Sequence, residues 1–279
     1  MQEELVLLDY GAVDALLETP PESPVEARVL AGARMLALVG FPLVPMLVYL
    51  SNRHPGLGPG ASSAEQISRL AAASADWAQV HFAFSVGGFL GLASILVIRS
   101  EVAKKAPELW TNASAAVGLI GAVIFTGTVL MEVRVIPALA RACVTSPVCG
   151  SPENVAFTDA LANEGWRVLP GLTAGGRTMM LGLALLAILG FSYGALRTWE
   201  AVALFTGAAL EIGLKTGLHQ WGNFSPQQGM PGMAAVLILA GSIGIALRLI
   251  RQDDRKAGEQ EGAGPAPAVP EAPPGTAEA

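Results

Sequence analysis

Glu211, Lys215 and His219 follow one another at strict four-residue spacing inside the run AVALFTGAALEIGLKTGLHQW, residues 201–221. On an α-helix each such step turns about 40° beyond a full revolution, so the three side chains share one face. The run is long and apolar enough to cross a bilayer, where ionisable groups are costly and mark a buried site, a relay or a structural ion pair. Glu211 and Lys215 form an i,i+4 pair with the acid first, the better orientation for tying a helix to its neighbours. Glu132, isolated in another apolar run, adds a second carboxylate. Two carboxylates beside one ammonium leave a surplus negative charge, relieved in low dielectric by a proton, a cation or a ligand amine. With His219 and His81 at the water edge, this set suits proton or small-ligand relay.

The three histidines allow a different chemistry. His54, His81 and His219, joined by Glu132 or Glu211, are an N/O ligand set compatible with a metal. No two of them have local ligand spacing such as HxxxH or HExxH, so a metal site depends wholly on packing. Six methionines in or near the apolar runs (Met46, Met131, Met179, Met180, Met230 and Met233) read as core filler. The sequence holds no P-loop, no GxSxG and no dinucleotide-binding fingerprint after a strand.

These residues are positioned by a chain built for a membrane. Apolar residues make up 52% and charged residues 14% of the 279, far from the roughly one-quarter charge of soluble domains. Six apolar segments, 28–50, 79–98, 114–138, 178–196, 200–219 and 230–250, match the roughly 30 Å hydrocarbon core at 1.5 Å per residue. The expected fold is an all-α, six-transmembrane-helix bundle over 28–250. An acidic segment precedes it at 1–27, and a disordered tail follows at 251–279, rich in Ala, Pro, Gly and Glu. Residues 4–18 could form a short amphipathic helix. Pro42 and Pro45 should kink or end the first span near Phe41. Gly87-x-x-x-Gly91 and Gly190-x-x-x-Gly194 have the spacing of close helix packing. Trp77, Trp110, Trp199 and Trp221 fall at segment ends, where an interfacial belt expects them.

Lys and Arg near the segment ends set the orientation. With the N-terminus inside, Arg28, Arg99, Lys104, Lys105, Arg197, Arg248, Arg251, Arg255 and Lys256 are cytoplasmic, against Arg53, Arg69, Arg141, Arg167 and Arg177 outside. Both termini are then cytoplasmic, in the cytoplasmic membrane. The loops 51–78 and 139–177 lie outside, the second carrying Cys143 and Cys149, whose spacing around a Pro-containing turn suits a disulfide. In this topology Glu211 lies about 12 Å below the outer boundary, Lys215 about 6 Å, Glu132 about 9 Å and His81 within about 3 Å. The inner half then holds only Arg34, and the expected pocket opens outward. The lipid bilayer is the one partner implied, and no basic stripe suggests nucleic acid.

The Arg53-His54-Pro55 exit from the first span, the Trp77-x-x-x-His81 entry to the second and the isolated acid Glu132 in the third resemble a pattern in uncharacterised small six-helix bacterial membrane proteins. The likeness covers residues 28–138. That family has no established activity, so the resemblance implies topology alone. Three functions stay open: a protein that binds or relays a small ligand or proton through an outward-facing pocket of Glu132, Glu211, Lys215, His219 and His81; a membrane-embedded metal-dependent enzyme or redox partner; and a structural or partner-binding subunit. Neither enzymatic activity nor a cofactor is fixed by the sequence.

Overall fold

The computed structural model describes residues 23–50, 63–146, 171–216 and 230–262, all of them helix or short connections. Six long helices, α1 (Pro24–Leu50), α3 (Ser74–Ala103), α4 (Glu108–Thr145), α5 (Gly171–Ser192), α6 (Thr198–Thr216) and α7 (Met230–Gly262), run antiparallel in chain order. A short helix, α2 (Ser63–Ala72), sits between the first two, within the stretch expected to be loop. Each long helix packs on the next, and α7 packs back on α1, so the six close into a ring. α3 also touches α5, and α2 lies against α4 and the start of α3.

Local chemistry sets the helix boundaries. Ser23 caps α1 by accepting the Glu26 N–H on its Oγ at 3.2 Å, with Pro24 at the first helical position, where no backbone donor is missed. α5 ends at Gly194, whose φ of +65° is open to glycine, with Ala195 and Leu196 donating back to the Gly190 carbonyl. Gly194 is therefore a helix-ending turn residue, while Gly190 packs against Leu196 and against Val102 of α3. Gly87 and Gly91 do face another helix: a Cβ at Gly87 would meet Val44 and Pro45, and one at Gly91 would meet Phe41. α1 accordingly runs through Pro42 and Pro45 to Leu50 instead of ending near Phe41. Packing by neighbouring helices makes proline tolerable within a span. The tightest approach is between α4 and α5, where a Cβ at Gly121 would overlap the Met179 nitrogen and one at Gly182 would overlap the Gly118 nitrogen. A methyl there cannot be accommodated without parting the helices.

Five helices, within Val25–Val48, Ser74–Ala103, Glu108–Thr145, Ala174–Ser192 and Met233–Asp253, are long and apolar enough to cross a membrane. The sixth expected span corresponds to α6, which is 19 residues long and is not among the five. Phe82, Phe89, Ile120, Val123, Phe205 and Val236 all point outward, exposed, while ionisable side chains are drawn inside. That inversion of the soluble pattern is what a lipid solvent selects. The chain is a multi-pass membrane protein.

Several helices outrun their expected limits. α3 begins at Ser74, five residues before the apolar run, so His81 lies about 10 Å along the helix rather than at its edge. α7 continues to Gly262, so residues 251–262 are helical and not part of a disordered tail. Its Asp253 stands 3.8 Å from Arg34 of α1, a partner for the cation expected to reach headgroups. Residues 4–18, and the tail beyond 262, lie outside the described residues.

Candidate functional site: a buried histidine–glutamate pair

His81 on α3 and Glu132 on α4 meet in the interface between the two helices, with Nε2 and Oε2 3.3 Å apart. Both are almost wholly inaccessible, His81 4% and Glu132 0% exposed. Trp77, one turn before His81, builds the site in three ways. Its ring stacks on the imidazole with centroids 4.0 Å apart and planes inclined by 20°. Its indole N–H donates to the Glu132 backbone carbonyl at 3.3 Å, stitching α3 to α4. Its own carbonyl lies 2.9 Å from His81 Nδ1.

The last contact decides the tautomer. A carbonyl oxygen can only accept, so Nδ1 carries a proton. In the neutral ring Nε2 is then a bare lone pair, which a carboxylate oxygen would repel. The 3.3 Å approach is an ion-pair contact rather than a hydrogen bond, and it is favourable when the pair carries one proton, as imidazolium with carboxylate or imidazole with carboxylic acid. Both forms have zero net charge, the condition for keeping such a pair out of water. Both Glu132 carboxylate oxygens are buried, and neither makes a hydrogen bond among the described residues; Oε2 has only the ion-pair contact to His81.

The pair is covered rather than open. One turn nearer the helix ends, Trp77 and Ile136 join Ile67 and Leu70 of α2, with Ala140 and Cys143, in a separate apolar cluster. Arg141 of α4 donates to Ser74 Oγ at 3.2 Å beside it. On the opposite side, Gly88 leaves room for Thr126, whose hydroxyl would lie 2.2 Å from a Cβ there. That hydroxyl is itself buried, with no hydrogen-bond partner among the described residues. Below the pair, then, lies a polar step in the α3–α4 seam.

The other end of the ring carries a larger charged group. Arg248 of α7 donates from Nη1 to Glu101 Oε2 of α3 at 3.1 Å, and its Nε lies 3.5 Å from Glu200 Oε2 of α6. Glu101 also pairs with Lys104, which is half exposed. Glu200 makes a further contact: its Oε2 accepts the Arg197 N–H at 3.0 Å, the return arm of a capping box that starts α6. α6 lies close on α7 here: a Cβ at Gly244 would meet the Trp199 ring and then Glu200 Cγ at 3.0 Å, and one at Gly241 would meet Leu204 and the Glu200 carbonyl at 2.9 Å. Nearby, the buried Arg99 donates twice to Asn112 Oδ1, at 2.9 and 2.7 Å. Buried ionisable groups therefore occur toward both ends of the helices. Each of those at this end sits in the last turn of α3, the first of α6 or late in α7, where sequence reading assigns charge to the water boundary. The acid three residues after Arg197, at the start of an apolar run, is the sequence signal for Glu200.

Among the expected site residues, His81 and Glu132 come together. Glu211 is half-buried on α6, whose main packing partners are α5 and α7 rather than the α3–α4 seam. Lys215 belongs to α6, and its side chain, with His54 and His219, lies outside the described residues. Among the described residues no group of three His, Cys, Asp or Glu side chains could hold a metal. Cys143 is disulfide-bonded, and its expected partner Cys149 is outside the described residues. Trp110 and Trp199 are exposed at helix starts, as a belt requires, whereas Trp77 is fully buried because the pair recruits it. Arg134 points outward, as its two-residue offset from Glu132 dictates. No family model, curated protein or solved structure matches the chain, so its function rests on its own geometry.

Proposed function

We propose that the chain is a six-span protein of the cytoplasmic membrane, both termini inside, that takes up and passes on a proton at the His81–Glu132 pair. The Lys and Arg distribution supports this orientation, with α6 as the sixth span. The single observation that carries the reading is the Nδ1 contact to the Trp77 carbonyl, which leaves Nε2 and Glu132 to share one proton. A buried imidazole within 3.3 Å of a carboxylate, beneath a cap and above the Thr126 hydroxyl, is suited to relay. α2 and its apolar cluster then cover the outward mouth.

The test is proton flux into reconstituted vesicles under an imposed pH gradient. Wild type should conduct, and Glu132→Gln should fall to the level of protein-free vesicles. Undiminished flux in Glu132→Gln would remove the pair from the mechanism.

A scaffolding reading is favoured by a different observation: Trp77, His81 and Glu132 together stitch α3 to α4. It is separated by stability. If His81→Phe and Glu132→Leu together recover the stability lost by either alone, and wild-type vesicles carry no flux, the pair is structural.

A further inference from the structure

The Glu101–Arg248–Glu200 group has two features that a simple structural strut lacks. First, it joins helices that are not packed neighbours: α1 stands between α3 and α7 in the ring, yet Arg248 reaches Glu101 directly. The contact therefore spans the inner side of the ring end instead of reinforcing an existing interface. Second, it is incomplete. Glu200 Oε1 and Arg248 Nη2 are both buried, and neither has a hydrogen-bond partner among the described residues. Ser242 Oγ, on the same helix as Arg248, is likewise buried and without such a partner among them. Water entering this end would satisfy all three, so the closed arrangement carries a penalty that hydration relieves. The route for that water is marked, because Lys104 is half exposed and leads through Glu101 and Arg248 to Glu200.

We propose that Glu101, Arg248 and Glu200 form an ion-pair gate that closes this end of the ring and opens by releasing α7 from α3, admitting water toward the core. The closed state has a defined anchor: Gly241 and Gly244 let Trp199, Glu200 and Leu204 of α6 pack closely on α7, so α6 and α7 move together and the Glu101–Arg248 contact is the one that parts. A bistable contact of this kind, between helices that are not packed on one another, is what a switching interface requires. What the gate admits rests on the relay reading above; that it opens does not.

The experiment is hydrogen–deuterium exchange on the full chain in lipid nanodiscs, paired with proton flux in vesicles, comparing wild type with Glu101→Gln. Expected is faster exchange confined to the last turns of α3, the first turn of α6 and the Ser242–Arg248 stretch of α7, with the Gly118–Gly182 seam unchanged and flux raised several-fold. Unchanged exchange, or a uniform increase across all helices, overturns the gate. Should Glu101→Gln not fold, Glu101→Asp keeps the charge while shortening its reach, and the same local pattern is expected. Adding Glu132→Gln separates the two proposals. Local opening with flux that Glu132→Gln leaves intact keeps the gate and removes the relay. Wild-type flux abolished by Glu132→Gln, with no local opening in Glu101→Gln, does the reverse.

Discussion

At one end of the helix ring a single carboxylate, Glu132, faces an imidazole under an apolar cap; at the other, Glu101 and Glu200 share the guanidinium of Arg248. The first balances charge with one proton and the second with two cations, since Lys104 also pairs with Glu101, and the two differ in reversibility. The histidine–glutamate pair can move its proton and stay neutral in either form. A guanidinium cannot be deprotonated in a protein, so the other end is neutral only while its ions remain in contact. In the proposed reading the first end holds a mobile proton, and the second is a contact that stays shut only while its ions pair. Substitutions should therefore cost most where charge is fixed and least where a proton can adjust.

The largest effect is expected from Arg248→Met, which strands two buried carboxylates and should lower stability by about 3–5 kcal/mol in chemical unfolding of the detergent-solubilised protein. A loss below about 1 kcal/mol would mean that this end tolerates charge change as the other does, and the contrast would fail. His81→Phe removes a partner from Glu132, yet the acid can keep its proton, so a smaller loss of about 1–3 kcal/mol is expected in the same assay. Trp77→Phe retains an aromatic ring over the imidazole and the carbonyl on Nδ1 while deleting the indole N–H to Glu132. Its cost should be about 0.5–1.5 kcal/mol, the value of one hydrogen bond. Smallest of all is Glu132→Gln. Its amide can donate to the bare Nε2 that the Trp77 carbonyl enforces, so stability should change by less than about 1 kcal/mol even as proton flux disappears.

Some of this is legible in the sequence for physical reasons. Apolar run length reveals helices because a bilayer demands a fixed span, and all six expected segments fall largely within long helices. Glu132 declares itself as a carboxylate too short to reach water. His81 is marked for the site but placed at the membrane edge, because the polar first turns of α3, SADWAQ, contribute little hydropathy. Its partnership with Glu132 depends on which helices are neighbours, and periodicity within one chain carries no such information. Glu211 looks like the natural companion of Glu132, yet the order of helices around the ring sets α6 beside α5 and α7. Glu101, Glu200 and Arg248 stay hidden because residues at helix ends read as solvent-facing until the ring closes over them. The glycine seam between α4 and α5 is missed in favour of Gly190 and Gly194, since equal spacing does not distinguish a packing face from a helix terminus.

The central claim, that His81 keeps Nδ1 protonated and shares one proton with Glu132 through Nε2, is tested most directly by nitrogen NMR of histidine-labelled protein in nanodiscs, with His81→Phe identifying the signal. The account predicts that Nδ1 of His81 gives the resonance of a protonated nitrogen, while Glu132→Gln alters the Nε2 resonance. An Nδ1 found without its proton, or an Nε2 signal indifferent to Glu132→Gln, would contradict it.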